Sequence, residues 1–132
     1  MSLAMRLFYL LIAITFMLVG CKPNNHAIQT KRVLLDDALI RIELSPEIAK
    51  VETPLLLQVS GESIKAISGE IVGVSMYMGK VPLVFSRKET NWRSEFLLGA
   101  CSDPKMTWQI ILTVEFDNGK KQTIKQQLES SW

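Results

Sequence analysis

The side chains with the most distinctive chemistry in this chain are the sulfurs of its cysteines and of three methionines. The 132-residue sequence has two cysteines, Cys21 and Cys101, and after Cys21 its methionines are Met76, Met78 and Met106. Met76 and Met78 are two residues apart, so on a β-strand they would point to the same face. Met106 follows Cys101 closely in Cys101-Ser-Asp-Pro-Lys-Met106. Soft thiolate and thioether ligands select Cu(I), so Met76, Met78, Cys101 and Met106 predict a copper site.

Core packing is the alternative interpretation of the same four residues. Met76 and Met78 continue the alternation of Val72 and Val74, which the inward face of a strand would also show. Methionine fills irregular gaps in protein cores, and free cysteine is among the most buried residue types. A Cu(I) ion is therefore one prediction for the sulfur residues, and an ordinary hydrophobic core is the other.

Catalytic motifs are missing from the sequence. There is no Gly-x-Ser-x-Gly, no His-Glu-x-x-His, no phosphate-binding loop and no Cys-x-x-Cys. The single histidine, His26, lies in a polar stretch near the N-terminus, which argues against histidine-dependent chemistry. The 15 Lys and Arg and 13 Asp and Glu residues form no basic stripe of the kind that binds nucleic acid. We expect a protein that is not an enzyme and does not bind nucleic acid.

The first residues have the composition of an export signal. Arg6 precedes an uncharged, mainly apolar run of 13 residues from Leu7 to Val19. A helix that crosses a bilayer needs about 20 apolar residues, so this run is too short to span one. A single positive charge followed by a short apolar segment is typical of a signal peptide.

The segment Leu18-Val19-Gly20-Cys21 resembles the lipobox of bacterial lipoproteins. This resemblance implies that residues 1–20 are a lipoprotein signal peptide and that Cys21 is the lipidated first residue of the mature protein. Two or three acyl chains, such as palmitate, anchor a protein stably, whereas a single chain is marginal. The resemblance thus predicts a protein held on a bacterial membrane in the cell envelope, facing the periplasm. With Cys21 occupied by lipid, Cys101 would be an unpaired thiol in an oxidising compartment.

The rest of the chain shows the alternation of an all-β protein. Residues 21–34 begin as a polar, unpatterned stretch and predict a tether, and residues 35–132 predict one β-sandwich domain. The expected strands are 38–44, 54–59, 64–74, 81–86, 92–98, 106–116 and 121–128. About seven short strands without a convincing helix predict an immunoglobulin-like antiparallel β-sandwich after the N-terminal signal helix.

Two turns and one strand are especially well marked. Residues 106–116 alternate without interruption, with Trp108 among the residues on the apolar face. Asp117-Asn118-Gly119-Lys120 then predicts a hairpin with a type I′ turn, because Asn-Gly tolerates the positive φ that this turn requires. The polar stretch 87–91 predicts a second hairpin between the strands 81–86 and 92–98.

The stretch Gly73-Val-Ser-Met76-Tyr-Met78-Gly-Lys-Val-Pro82, followed by a strand pair and by Cys101-x4-Met106-Thr-Trp108, resembles two groups of extracytoplasmic domains. These are the YtkA-like domains and the FixH-type domains associated with cytochrome oxidase assembly. The resemblance implies an immunoglobulin-like sandwich over about residues 35–130 and a Trp of the penultimate strand packed in the core. It also implies a role near respiratory-chain or copper maturation. Such domains often carry a His near the Met motif, and here Cys101 would take its place.

Two functions follow as expectations. The first is a membrane-anchored, non-enzymatic accessory that handles Cu(I) or assists the assembly of a respiratory oxidase, with the lipid bilayer and a respiratory-complex protein as partners. The second is a metal-free interaction module that docks on an envelope protein through a sheet edge or the Met-Tyr-Met loop. Inner and outer membrane both stay open, because Lys22 after the lipidated cysteine favours the outer membrane and oxidase assembly favours the inner one.

Overall fold

The computed structural model describes residues 30–132, which form two packed β-sheets of five strands each. The predicted signal helix, Cys21 and His26 lie outside the described residues. No helix occurs within residues 30–132, which confirms the predicted all-β class. The strands are β1 Arg32–Asp36, β2 Ile40–Ser45, β3 Ala49–Lys50, β4 Leu55–Gly61, β5 Ile64–Gly73, β6 Lys80–Leu83, β7 Ser86–Lys88, β8 Asn91–Phe96, β9 Thr107–Phe116 and β10 Lys121–Ser131.

The order of the strands confirms the immunoglobulin-like sandwich. One sheet has the order β1-β2-β4-β8-β7, and the other has the order β3-β10-β9-β5-β6. Strands β2, β4, β8 and β7 take the places of strands A, B, E and D of that fold, and β5, β9 and β10 take those of C, F and G. All pairs are antiparallel except β3 with β10. Within residues 30–132 there is no helix that could cross a membrane.

The domain has ten strands because short strands are added to the seven that the alternation predicted. β1 and β3 are additional, and the first strand begins at Arg32, three residues before the expected domain boundary. The expected strand 81–86 divides into β6, which pairs with β5, and β7, which pairs with β8 in the opposite sheet. The predicted hairpin across 87–91 is therefore confirmed only for β7 and β8. Alternation indicates a strand but does not indicate which sheet the strand joins.

The core lies between the two sheets and is built from the inward-facing positions of both. β9 contributes Trp108, Ile110, Leu112 and Val114, all buried, as its alternation predicted. Trp108 lies in the penultimate strand, and its Nε1–H donates a hydrogen bond to the Ser130 hydroxyl of β10 at 3.0 Å. The buried residues form one continuous hydrophobic cluster that includes both sheets.

The hairpin between β9 and β10 lies where the sequence placed it, but its turn differs from the expected type. Gly119 has a φ of +80°, whereas Asn118 is not among the residues with positive φ. The Gly119 N–H donates to the Phe116 carbonyl at 2.9 Å, and the Lys120 N–H donates to Asn118 Oδ1. A turn closed by one left-handed glycine is the three-residue hairpin loop, so the predicted type I′ turn is wrong.

The strands place the loops at two opposite ends of the sandwich. The base is formed by Thr30–Lys31, where the chain enters β1, by loops 46–48, 51–54, 74–79 and 97–106, and by Trp132 after β10. The tip is formed by turns 37–39, 62–63, 89–90 and 117–120. The four predicted copper ligands, Met76, Met78, Cys101 and Met106, all belong to the base.

Candidate metal centre

The Met-Tyr-Met segment lies on a loop that is fastened to the start of β9. The Val74 and Ser75 N–H groups both donate to the Thr107 carbonyl, at 2.8 and 3.4 Å. The Thr107 N–H in turn donates to Ser75 Oγ at 3.0 Å. Because β5 ends at Gly73, Met76 and Met78 are on a loop, and the expected strand through residue 74 is too long. Ser75 is a positioning residue that the sequence analysis did not single out.

Gly73 allows this loop to fold back over the end of its own strand. A Cβ at Gly73 would collide with the carbonyl oxygen of Met76 and with the terminal methyl of Met106. Gly73 pairs with Trp108 of β9, so the close approach occurs beside a buried part of the sheet. A glycine three residues before a Met-x-Met segment, at the end of an apolar run, is the signal in the sequence that marks this position.

The second loop of the site, residues 97–106, carries the thiol. Leu98 is fully buried, and its carbonyl accepts a hydrogen bond from the Glu52 N–H at 2.8 Å. At its other end, the Met106 carbonyl accepts a hydrogen bond from the Ser130 N–H of β10 at 2.9 Å. Cys101 lies between these two fixed points, half-buried, and packs against the edge of the hydrophobic core.

The two loops bring one thiol and one thioether into direct contact. Cys101 Sγ lies 3.3 Å from Met76 Sδ, and the thiol donates a weak hydrogen bond to the thioether. Cys101 Sγ is also 3.9 Å from Ser102 Oγ. Met76 is 44% exposed and Cys101 is half-buried, so the two residues lie at the surface. Two residues that are 25 positions apart in the chain thus share one surface site.

The other two methionines have different surroundings. Met78 is 38% exposed, and its terminal methyl lies 3.7 Å from the position that a Cβ on Gly99 would occupy. It therefore lies over the loop that carries Cys101. Met106 is only 1% exposed and belongs to the hydrophobic core, with its methyl group against Gly73. The structure places three sulfurs at the surface of the base and the fourth beneath it.

The charges next to the loop neutralise one another. Lys80, directly after the Met-Tyr-Met loop, donates a hydrogen bond to Glu70 Oε1 at 2.9 Å. This hydrogen bond and the charge of Glu70 raise the pKa of Lys80 above its ordinary value. The ammonium group is compensated by its own carboxylate, so the pair adds little net charge beside the sulfurs.

The described residues offer no second candidate for a metal site beside the sulfur pair. Residues 30–132 contain no group of three or more His, Cys, Asp or Glu side chains that could hold a metal ion. A concavity of about 640 Å³ lies at the tip, between the 60–64 segment, Arg87, Trp92 and Asp117. Neither methionine nor cysteine lines this concavity.

Comparison of the chain with protein-family models, with curated proteins and with solved structures returns no match.

Proposed function

We propose that this protein is a non-enzymatic lipoprotein of the bacterial cell envelope that binds Cu(I) at the base of its sandwich. The observation that carries the proposal is the 3.3 Å contact between Cys101 Sγ and Met76 Sδ at the surface. A thiol and a thioether on two fastened loops form a preorganised pair of sulfur ligands, which is the ligand type that Cu(I) prefers.

The geometry allows one ion to contact both sulfurs. Metal–thiolate bonds are about 2.3 Å long in zinc sites, so an ion at a similar distance can bridge two sulfurs that lie 3.3 Å apart. We include Met78, whose terminal methyl lies over the Cys101 loop, as the third sulfur ligand of the proposed site. Met106 supports the loop from within the core. Because the thiol must lose its proton, binding releases a proton and the apparent affinity rises with pH.

The proposed role is delivery or storage of copper next to a respiratory oxidase. Support comes from the resemblance of the Met-x-Met-Gly stretch and the Cys101–Trp108 segment to YtkA-like and FixH-type domains, and from the sandwich fold. Lipid on Cys21 would hold the domain at a membrane, where a periplasm-facing copper accessory has to work. The bilayer and a protein of the respiratory complex are the partners that this role requires.

A competition titration tests the metal site. Full-length protein in detergent micelles is reduced and titrated anaerobically with Cu(I) against a chromogenic chelator. We expect one ion per chain, with affinity at least about tenfold weaker, or 1.4 kcal/mol, in Cys101→Ser and in Met76→Leu. Met106→Leu, which alters a buried methionine, is the matched control and should change the affinity little. Wild-type binding no tighter than that of the Cys101→Ser/Met76→Leu double variant would refute the copper site.

A labelling experiment tests the anchor separately. Cells that express the wild type or Cys21→Ser are grown with radiolabelled palmitate, and their inner and outer membranes are then separated. We expect label in the wild type only, and release of the Cys21→Ser protein from the membrane fraction. Absence of label from the wild type would overturn the lipoprotein assignment. The fraction that holds the protein decides between inner and outer membrane.

The second candidate function is a metal-free interaction module of the cell envelope. The observation that favours it is Tyr77, which projects from the loop between the two methionines and is 80% exposed. A photo-crosslinking amino acid at position 77 would capture an envelope protein if the loop docks on one. Capture of a specific protein, together with no effect of Cys101→Ser on Cu(I) binding, would favour this function over the first.

A further inference from the structure

The base of the sandwich is the end at which the chain arrives from its predicted anchor. Arg32, the first residue of β1, pairs with Leu44 near the base, and Thr30 precedes it. Residues 21–29 can span at most about 30 Å, since an extended chain covers at most 3.3–3.6 Å per residue. Lipid on Cys21 would therefore keep the base, and not the tip, close to the bilayer.

Exposed apolar side chains are concentrated at this same end. In addition to Met76 and Met78, the exposed large apolar residues of the base are Ile48, Val74, Tyr77, Leu97 and Trp132. The other exposed large apolar residues within residues 30–132 are Leu39 in a turn of the tip, Val33 on β1 and Val84 between β6 and β7. Single exposed apolar residues are ordinary on a protein surface, but an accumulation at one end marks an interaction surface.

The aromatic residues of the base have the chemistry of a membrane–water interface. Tyr77 is 80% exposed and Trp132 is 66% exposed. Tyr77 lies in the loop after β5, and Trp132 directly follows β10. Tyr and Trp are enriched at the headgroup level of membranes, because each has an apolar ring and a polar group that stays hydrated.

Charge does not dominate the base. Its exposed cations are Lys31 and Lys105, and its exposed anions are Glu47 and Glu52. Mixed charges of this kind give little attraction to anionic lipid. Contact with a membrane through the base would depend on the apolar and aromatic side chains, and would occur on zwitterionic lipid as well.

We infer that the base rests on the bilayer surface, with Tyr77 and Trp132 at the level of the lipid headgroups. This inference rests on the lipid anchor of the proposed function, because the short tether brings the base to the membrane. The occupant of the apolar base is then the lipid surface itself. The strands stand with their base ends toward the membrane, and the tip faces away from it.

Depth-dependent quenching of tryptophan fluorescence tests this orientation. Full-length protein is reconstituted into phosphatidylcholine vesicles, with and without lipids brominated near the headgroup, and the floated fraction is measured. The signal of Trp132 is the difference between the wild type and Trp132→Phe. The control reporter at the tip is Leu39→Trp in the Trp132→Phe background. We expect a blue shift and loss of most of the Trp132 emission with brominated lipid, and no loss from the tip reporter.

A variant of the second aromatic residue extends the test. Tyr77→Ser lies on an exposed loop, so it should leave folding and flotation unchanged but reduce the quenching of Trp132. Equal quenching of Trp132 and of the tip reporter, or none of either in protein that floats, would overturn the inference while leaving the anchor in place. Protein that does not float would overturn both the anchor and the contact. If the Trp132 emission shifts to the blue only when an envelope protein is added, the base binds a protein and not the lipid surface, and the inference is overturned.

Discussion

Two buried serines of the core are expected to respond in opposite ways to replacement by alanine, one with a loss and the other with a gain of stability. Ser130 of β10 is 3% exposed, and its Oγ accepts a hydrogen bond from Trp108 Nε1 at 3.0 Å and donates to the Met106 carbonyl at 3.4 Å. Ser94 of β8 is 1% exposed, and its hydroxyl has no hydrogen-bond partner. Replacement by alanine therefore breaks a satisfied network at one position and removes an unpaired polar group at the other.

The expected free energies follow from these contacts. Ser130→Ala leaves the indole N–H of Trp108 buried without an acceptor, which costs about 1–3 kcal/mol. Ser94→Ala removes a hydroxyl whose burial without a hydrogen bond costs roughly 1–3 kcal/mol, offset in part by the small cavity that remains. We expect the free energy of unfolding to fall by about 1–3 kcal/mol in Ser130→Ala, and to rise by up to about 1 kcal/mol in Ser94→Ala.

Urea and thermal unfolding, followed by circular dichroism, measure both effects. One kcal/mol corresponds to a shift in Tm of about 4–8 °C for a domain of this size. Ser68→Ala, an exposed serine of β5, is the matched control and should change the stability by less than about 0.5 kcal/mol. If Ser94→Ala destabilises the protein as much as Ser130→Ala does, hydrogen-bond partners do not decide whether removal of a buried hydroxyl raises or lowers the stability.

Two further predictions concern the base loop and the pH dependence of stability. Gly73→Ala should lower the free energy of unfolding by about 1–3 kcal/mol, because the new Cβ would collide with the backbone of Met76. Gly99→Ala is the control, since its Cβ would make an ordinary 3.7 Å contact with the Met78 methyl and should leave the stability unchanged. The urea midpoints of the two variants measure the difference. Burial raises the pKa of Glu43, but hydrogen bonds and charges of Arg41 and Lys31 outweigh burial and hold that pKa below 4.5. A depressed folded-state pKa makes the unfolded state take up the proton first, so this stabilisation is present above pH 4.5 and is lost as pH falls through the folded-state pKa. Urea unfolding at neutral and acidic pH should show that Glu43→Gln loses less stability on acidification than the wild type does. An equal loss of stability in the two proteins would contradict the ion-pair account.

The fold class could be predicted from the sequence because sheet burial leaves a local signal. The alternation of residues 106–116 predicted both β9 and the buried side of that strand, including Trp108. Asn118-Gly119 predicted the position of the last hairpin. Its turn type was wrong, because a left-handed glycine also closes a three-residue loop and the dipeptide does not distinguish the two. The partners of β6 and β7 were not predictable, since pairing depends on which sheet edge is free.

The sequence by itself determined which side chains of residues 30–132 have soft-metal chemistry, and the resemblance of residues 18–21 to a lipobox predicted an anchor without reference to any fold. Tertiary structure alone decided how the sulfurs are arranged. β5 ends at Gly73 because the loop beyond it hydrogen-bonds to Thr107, and this places Met76 on the surface beside Cys101. Met106 lies in the core because it directly precedes the inward face of β9. Alternation reports only which face a strand buries, whereas the distance between two loops depends on how the sheets connect at the base.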